Sequence, residues 1–162
     1  MAGVSERVED LVVANRILFD QGVLDGFGHV SVRDERDPGR FLLARSMAAG
    51  LVAAEDVMAF DFDGVPIDPR GRAVFLERFI HAEIYRVRPD VQAVVHSHSP
   101  NLVPFGVTPA PLRPIYHMTG FLAAGVPVFE IRAVAGENSN MLITDGRLGA
   151  ADATRPPAVD HG

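Results

Sequence analysis

The stretch AVVHSHSP, residues 93–100, sets His96 and His98 two positions apart at the end of a run of small and β-branched apolar residues. Alternate side chains of a strand share a face, so both imidazoles project to one side and Ser97 to the other. Two neutral imidazoles one pleat apart can chelate a single divalent ion such as zinc, iron, cobalt or nickel. The same pair can equally stand at the exposed end of a strand, hydrogen-bonded or hydrated, and an H-x-H pair alone does not choose. Glu77 is the second group with chemistry. It precedes the histidines beside Phe75, Phe79 and Ile80. A carboxylate partly withdrawn from water near a metal can hold a raised pKa and shuttle protons at neutral pH. Its competing reading is a solvated helix carboxylate paired with Arg78 or His81.

These groups need elements to hold them. Apolar residues at Val8, Leu11, Val12, Ala14, Ile17 and Leu18 predict an amphipathic helix over 5–19, with Ser5 as N-cap. HVSVRD reads as a strand, and FLLAR pairs back onto it as a hairpin across Pro38 and Gly39. EDVMAFDFDGVPI reads as a further strand with a turn at Asp63-Gly64. A helix is expected over 73–88, with Phe75, Phe79, Ile80, Ile84 and Val87 on its apolar face and Pro89 ending it. DVQAVVHSHS follows as a strand, then a Pro-rich segment with a short helix over 115–124, then VPVFEIR as another strand. LGAADA begins like a helix before Pro156 and Pro157. Helices interleaved with short strands imply an α/β layered domain.

Composition narrows the function. A chain of 162 residues fits one domain, and a net charge of −6 with no basic run argues against nucleic acid or an anionic membrane as partner. No stretch approaches the ~20 apolar residues of a membrane span, and the N-terminus lacks the pattern of a signal peptide, so a cytoplasmic location is expected. With no cysteine, any metal must sit on histidine and carboxylate.

The segment LERFIHAEIYRVRPDVQAVVHSHSP resembles the class II aldolase/adducin family, whose members carry an acidic residue at a helix start, a tyrosine, RPDV, an apolar strand and an H-x-H pair. GHVSVR is similar to that family's GNxSxR loop, and DFDG and PIYHMTGFLAAGVPV fit its following segments. The resemblance implies a three-layer αβα sandwich around a central, mostly antiparallel sheet. It implies one domain over 1–162 with the C-terminal part of the family fold missing. It makes His96 and His98 ligands of a divalent metal, usually Zn2+, with Mn2+, Fe2+ or Co2+ in some members. The third ligand would be His161 in AVDHG, and Glu77 the acid/base residue. Gly28, His29 and Ser46 would lie in loops that hold a small-molecule substrate, and the chain would form a homo-oligomer, a tetramer. A divalent ion with open positions would act as Lewis acid on a developing enolate, a need shared by aldol cleavage and decarboxylation.

Three departures separate this chain from the sugar-phosphate members. Phe75 and Leu76 stand where those members carry small hydroxyl residues that hold phosphate, and with the FGV around Phe105 they imply a more apolar ligand. His29 replaces the asparagine of GNxS, as a contact for a carboxylate or phenol oxygen or as a structural loop residue. His117 stands near where aldolases place a catalytic tyrosine; His117 or Tyr116 would donate a proton, or cap a short helix. Together these lead to a metal-dependent carbon–carbon lyase, foremost a decarboxylase of a hydroxylated aromatic acid. The alternatives are an aldolase acting on a hydroxy-carbonyl or sugar-type substrate, and a shortened, impaired relic or non-catalytic adducin-like module.

Overall fold

The computed structural model describes residues 5–154, so His161 lies outside the described residues. Helix α1 (Glu6–Asp20) begins after Ser5, whose carbonyl accepts from the amides of Val8 and Glu9. Strands β1 (His29–Arg33) and β2 (Arg40–Ala44) form the expected hairpin, and β3 (Val57–Asp61) pairs with the far side of β2. Strand β4 (Ala93–His96) joins the free side of β1, giving an antiparallel sheet in the order β3-β2-β1-β4. The β1–β4 register sets His29 directly opposite His96 across 67 residues of chain.

Side-chain parity splits the core into two layers. Phe41, Leu43, Met58 and Phe60 point to one face and pack with Phe75, Ala82 and Tyr85. Val30, Val32 and Leu42 point to the other and pack with Leu11, Leu24 and Ala49. Helix α1 therefore covers one face and helix α2 (Arg78–Val87) the opposite one, the layering expected of an αβα sandwich. Phe41 and Phe60 stack at 5.4 Å with no exposed surface, and burial of each contributes about 1.5–3 kcal/mol.

The expected helix over 73–88 is shorter. It starts at Arg78, leaving Glu77 at the N-cap, because residues 73–77 are held outside helical geometry: Ser46 N–H binds the Ala73 carbonyl, and the Phe75 ring is buried against His29. Its buried face also differs from the apolar stripe. His81, Ala82, Glu83 and Tyr85 are buried, whereas Val87 is exposed, and Phe79 and Ile80 turn to a side cluster formed by Ile131, Ile143 and Leu148. The sheet below α2 presents Ser31, so a polar pair faces it.

Arg33 anchors the C-terminus of α2. Its guanidinium donates to the carbonyls of Tyr85, Arg88 and Val91, neutralising the negative end of the helix and clamping the RPD turn that feeds β4. In the turn after β3, Gly64 adopts φ +74, and a Cβ there would stand 2.9 Å from the Phe79 ring.

Beyond β4 the chain is mostly irregular. A short helix α3 (Val103–Val107) is followed by a 3-10 turn at His117–Leu122, where a helix over 115–124 was expected. The expected strand VPVFEIR is absent among the described residues. Ile131 instead drops into the side cluster at the start of α4 (Arg132–Ala135), and Glu130 is held by a bidentate pair with Arg132, so no ladder forms. Helix α5 (Gly146–Ala153) is capped by Asp145, whose carboxylate accepts from the Leu148 amide.

Candidate metal centre

Strand β4 ends at His96, and His98 lies just past it, yet their Nε2 atoms face each other at 2.9 Å. Ser97 points the other way and donates to the Val23 carbonyl, as strand alternation requires. The start of α2 brings Glu77 Oε2 to 3.2 Å from His96 Nε2. Two ring nitrogens and a carboxylate oxygen thus converge from two elements. Ligands at about 2.0–2.1 Å from a tetrahedral ion would stand about 3.3 Å apart, so the donors need little movement to hold one. Glu77 does not pair with Arg78, which donates to the Gly64 and Phe75 carbonyls, nor with His81. The hydrogen bond from His96 outweighs desolvation and holds the Glu77 carboxyl below its usual range, the reverse of the raised pKa expected. Glu77 is therefore ionised and ready to ligate or to accept a proton.

Behind the cluster stands Asp25, which the sequence reading passed over. One oxygen accepts from the amides of Phe27 and Gly28, and the other lies 3.3 Å from His98 Nδ1. A carboxylate on Nδ1–H fixes the tautomer that leaves the Nε2 lone pair free for a cation. The only sequence signal was the turn DGFG itself. Gly28 is needed for the close approach: a Cβ there would meet Leu24 Cδ2 at 2.8 Å and the His96 carbonyl at 3.1 Å.

His29 and His81 are fully buried on the same face of the sheet. His29 Nδ1 lies 2.8 Å from His81 Nε2; His81 Nδ1 lies 2.6 Å from Ser31 Oγ; and Ser31 Oγ lies 2.8 Å from the Tyr85 hydroxyl. His29 also stacks on His96 and lies against Phe75, and among the described residues its buried Nε2 has no partner. Burial pushes the His29 imidazole far below its ordinary pKa, and pushes the Tyr85 hydroxyl up to about 12. Burial likewise lowers His81 from 6.5 to about 3. The neutral form of His81 therefore stabilises the fold. That contribution is complete above about pH 6.5 and is lost as pH falls from 6.5 towards 3, where the unfolded chain binds a proton the folded chain refuses. Across that window His81 is expected to steepen the fall of unfolding free energy by up to about 1.4 kcal/mol per pH unit. Urea unfolding at stepped pH checks this, and a His81→Gln variant should lose that increment of slope.

The structure brings together Gly28, His29, Glu77, His96 and His98. Ser46 sits at the neighbouring loop and touches this region through its backbone bond to Ala73, ahead of Glu77. His117 lies on the exposed 3-10 turn, edge-on to Tyr116, and no described contact joins it to the cluster. Tyr116 is the N-cap of that turn, with Thr119 Oγ1 donating to its carbonyl. His161 falls outside the described residues. An open cleft of about 1000 Å³ borders Glu77 and His96, with Ile80, Ile84 and Phe129 among its apolar lining residues and Thr108, Glu130 and Arg132 among its polar ones.

The family model for the class II aldolase and adducin N-terminal domain matches residues 9–151. The chain belongs to the class II aldolase and adducin family. Decarboxylase tropJ of Talaromyces stipitatus is 40% identical over 147 residues, 88% of this chain and 55% of the relative. A 3,4-dihydroxyphthalate decarboxylase of Arthrobacter keyseri is 32% identical over 133 residues, 75% of this chain and 54% of the relative. The chain thus spans about half the length of these curated relatives. Among solved structures, the L-fuculose 1-phosphate aldolase of Glaciozyma antarctica superposes with a TM-score of 0.71 at 25% identity, covering 96% of this chain and 61% of that one. Class II aldolases use a divalent metal, and this member of the family carries a His–Glu–His group, His29, Glu77 and His96, with donor atoms within 4.8 Å of one another. No described helix is long and apolar enough to cross a membrane.

Proposed function

We propose that the chain is the metal-binding part of a lyase that decarboxylates a hydroxylated aromatic acid. The observation that carries this reading is the convergence of Glu77, His96 and His98 beside an open cleft. The proposed ligands are His96, His98 and His161, with zinc as the metal and Glu77 as the acid/base. The donor set supports this: imidazole nitrogens with no thiolate suit zinc and its neighbours. Phe75 is buried against His29 and Leu76 is exposed, so neither offers a phosphate a partner, which favours an aromatic acid over a sugar phosphate. The similarity to two decarboxylases points the same way.

The metal, when bound, supplies Lewis-acid stabilisation of the negative charge that departing carbon dioxide leaves on the ring. The chain's own residues handle the proton. Ionised Glu77 takes the phenolic proton at Oε2 and returns it to the ring carbon as the bond to the carboxylate breaks. Water then restores the phenol, so one proton is consumed per carbon dioxide released. Asp25 holds the His98 ring in place. Exposed apolar side chains at Val107, Ile115 and Phe121 support a homo-oligomer, and the net charge of −6 supports a small-molecule substrate over a nucleic acid.

The test is a screen of the zinc-loaded chain against mono- and dihydroxylated benzoates and phthalates, reading carbon dioxide release, with L-fuculose 1-phosphate as the aldol control. Carbon dioxide from an aromatic acid supports the reading. Cleavage of the sugar phosphate alone would replace it with an aldolase, and inactivity on both would overturn it for this chain.

A further inference from the structure

Arg78 opens α2 in a setting that is costly for a cation. Its side chain is partly buried, and burial lowers its pKa from the ordinary value. Among the described residues no carboxylate pairs with it. Instead Nε donates to the Gly64 carbonyl at 2.6 Å and Nη1 to the Phe75 carbonyl at 3.0 Å, with the guanidinium 4.4 Å from the centre of the Phe79 ring. A planar fork that joins two carbonyls fixes their relative geometry, which a flexible ammonium does not.

The two carbonyls belong to different parts of the chain. Gly64 closes the DFDG turn, residues 61–64, which is tied to itself: Asp61 Oδ1 accepts from the amides of Asp63 and Val65, and the Gly64 amide donates to the Asp61 carbonyl. Phe75 lies two residues before Glu77. In a helix running back through 73–77 its carbonyl would accept from the Phe79 amide. The Arg78 side chain takes that carbonyl instead, and Glu77 keeps φ −84 and ψ 11 at the helix entrance.

We propose that Arg78 is the positioning residue for Glu77: by tying the Phe75 carbonyl to the DFDG turn, it stops α2 from growing backwards and holds the Glu77 carboxylate 3.2 Å from His96 Nε2. Arg86 supplies the contrast. About two turns further along α2 it donates to the Phe62 carbonyl at 2.6 Å and the Asp63 carboxylate at 2.7 Å. It therefore clamps the same turn without touching the segment that carries Glu77. The acid/base role of Glu77 rests on the proposed lyase reading; its placement by Arg78 does not.

The experiment compares Arg78→Met, Arg78→Lys and Arg86→Met with wild type. In the metal-free full chain, long-range 1H–15N correlation spectra read the His96 ring, and Glu77→Gln supplies the reference for a His96 that faces no carboxylate. Arg78→Met should move the His96 signals most of the way to that reference. Arg78→Lys should move them part of the way, since a lysine keeps the charge without the fork. Arg86→Met should leave them at the wild-type position, even where urea shows that both methionine variants have lost stability. In zinc-loaded protein, carbon dioxide release from hydroxybenzoates should fall about 10–100-fold in Arg78→Met, the scale of a misplacement of about 1 Å, and stay within about twofold of wild type in Arg86→Met. Guanidinium ion at a sub-denaturing concentration should restore part of the rate to Arg78→Ala. His96 signals unmoved in Arg78→Met, or moved equally in Arg86→Met, would overturn the proposal and leave Arg78 a clamp for the fold alone. If Arg78→Met does not fold, Arg78→Lys decides by the same signals. Wild type that releases no carbon dioxide would sink the lyase reading, and the His96 signals would still decide the placement.

Discussion

Replacing both His96 and His98 by alanine is expected to lower the affinity for a divalent ion by well over ~100-fold, so that the variant leaves purification without the metal that wild type retains. The two Nε2 atoms lie 2.9 Å apart and each belongs to a ring held by its surroundings: His96 by stacking on His29, His98 by Asp25. An outer partner such as Asp25 is worth about 10–100-fold in affinity, and removing the ligands themselves exceeds that. Elemental analysis of the two proteins checks it. Equal metal content would assign the site elsewhere. The substituted rings sit at the end of β4 at the edge of the sheet, so the variant should remain folded, which circular dichroism verifies independently.

Glu77→Gln is expected to reduce the proposed decarboxylation by about 10²–10⁴-fold while metal content stays near that of wild type. The amide keeps the side chain's size and one oxygen towards His96 but neither accepts nor returns a proton. Wild-type turnover should also fall with acidification, because Glu77 must be ionised to take the first proton. Single-turnover rates and metal analysis on the same preparations separate the two effects. Turnover unchanged in the variant would move the proton chemistry to another residue. Turnover and metal lost together would make Glu77 a structural ligand first.

Much of the frame was legible in the residues. The hairpin of β1 and β2 followed from alternation, α1 from its apolar spacing, and the facing imidazoles of His96 and His98 from an H-x-H at a strand end. The failures share one cause: a local pattern cannot say what lies across from it. The apolar stripe of Phe75, Phe79, Ile80, Ile84 and Val87 implied which side of α2 meets the sheet, yet His81 and Tyr85 take that side because Ser31 waits there to bond them. VPVFEIR has a strand's composition, but a strand exists only where a neighbour offers a ladder, and Ile131 found a side cluster instead. Asp25 lay hidden in an ordinary turn, since its value depends on His98, far along the chain.

By itself the sequence determined the chemistry available: no thiolates, two imidazoles one pleat apart, a carboxylate ahead of them, and a family pattern that joins these parts. Only the tertiary structure decided how they are used. The antiparallel register of β1 and β4 put His29 against His96, and the packing of α2 on the sheet strung Tyr85, Ser31 and His81 behind it. Residue types limit which protons and lone pairs exist; where each one points depends on partners that only folding brings within 3 Å.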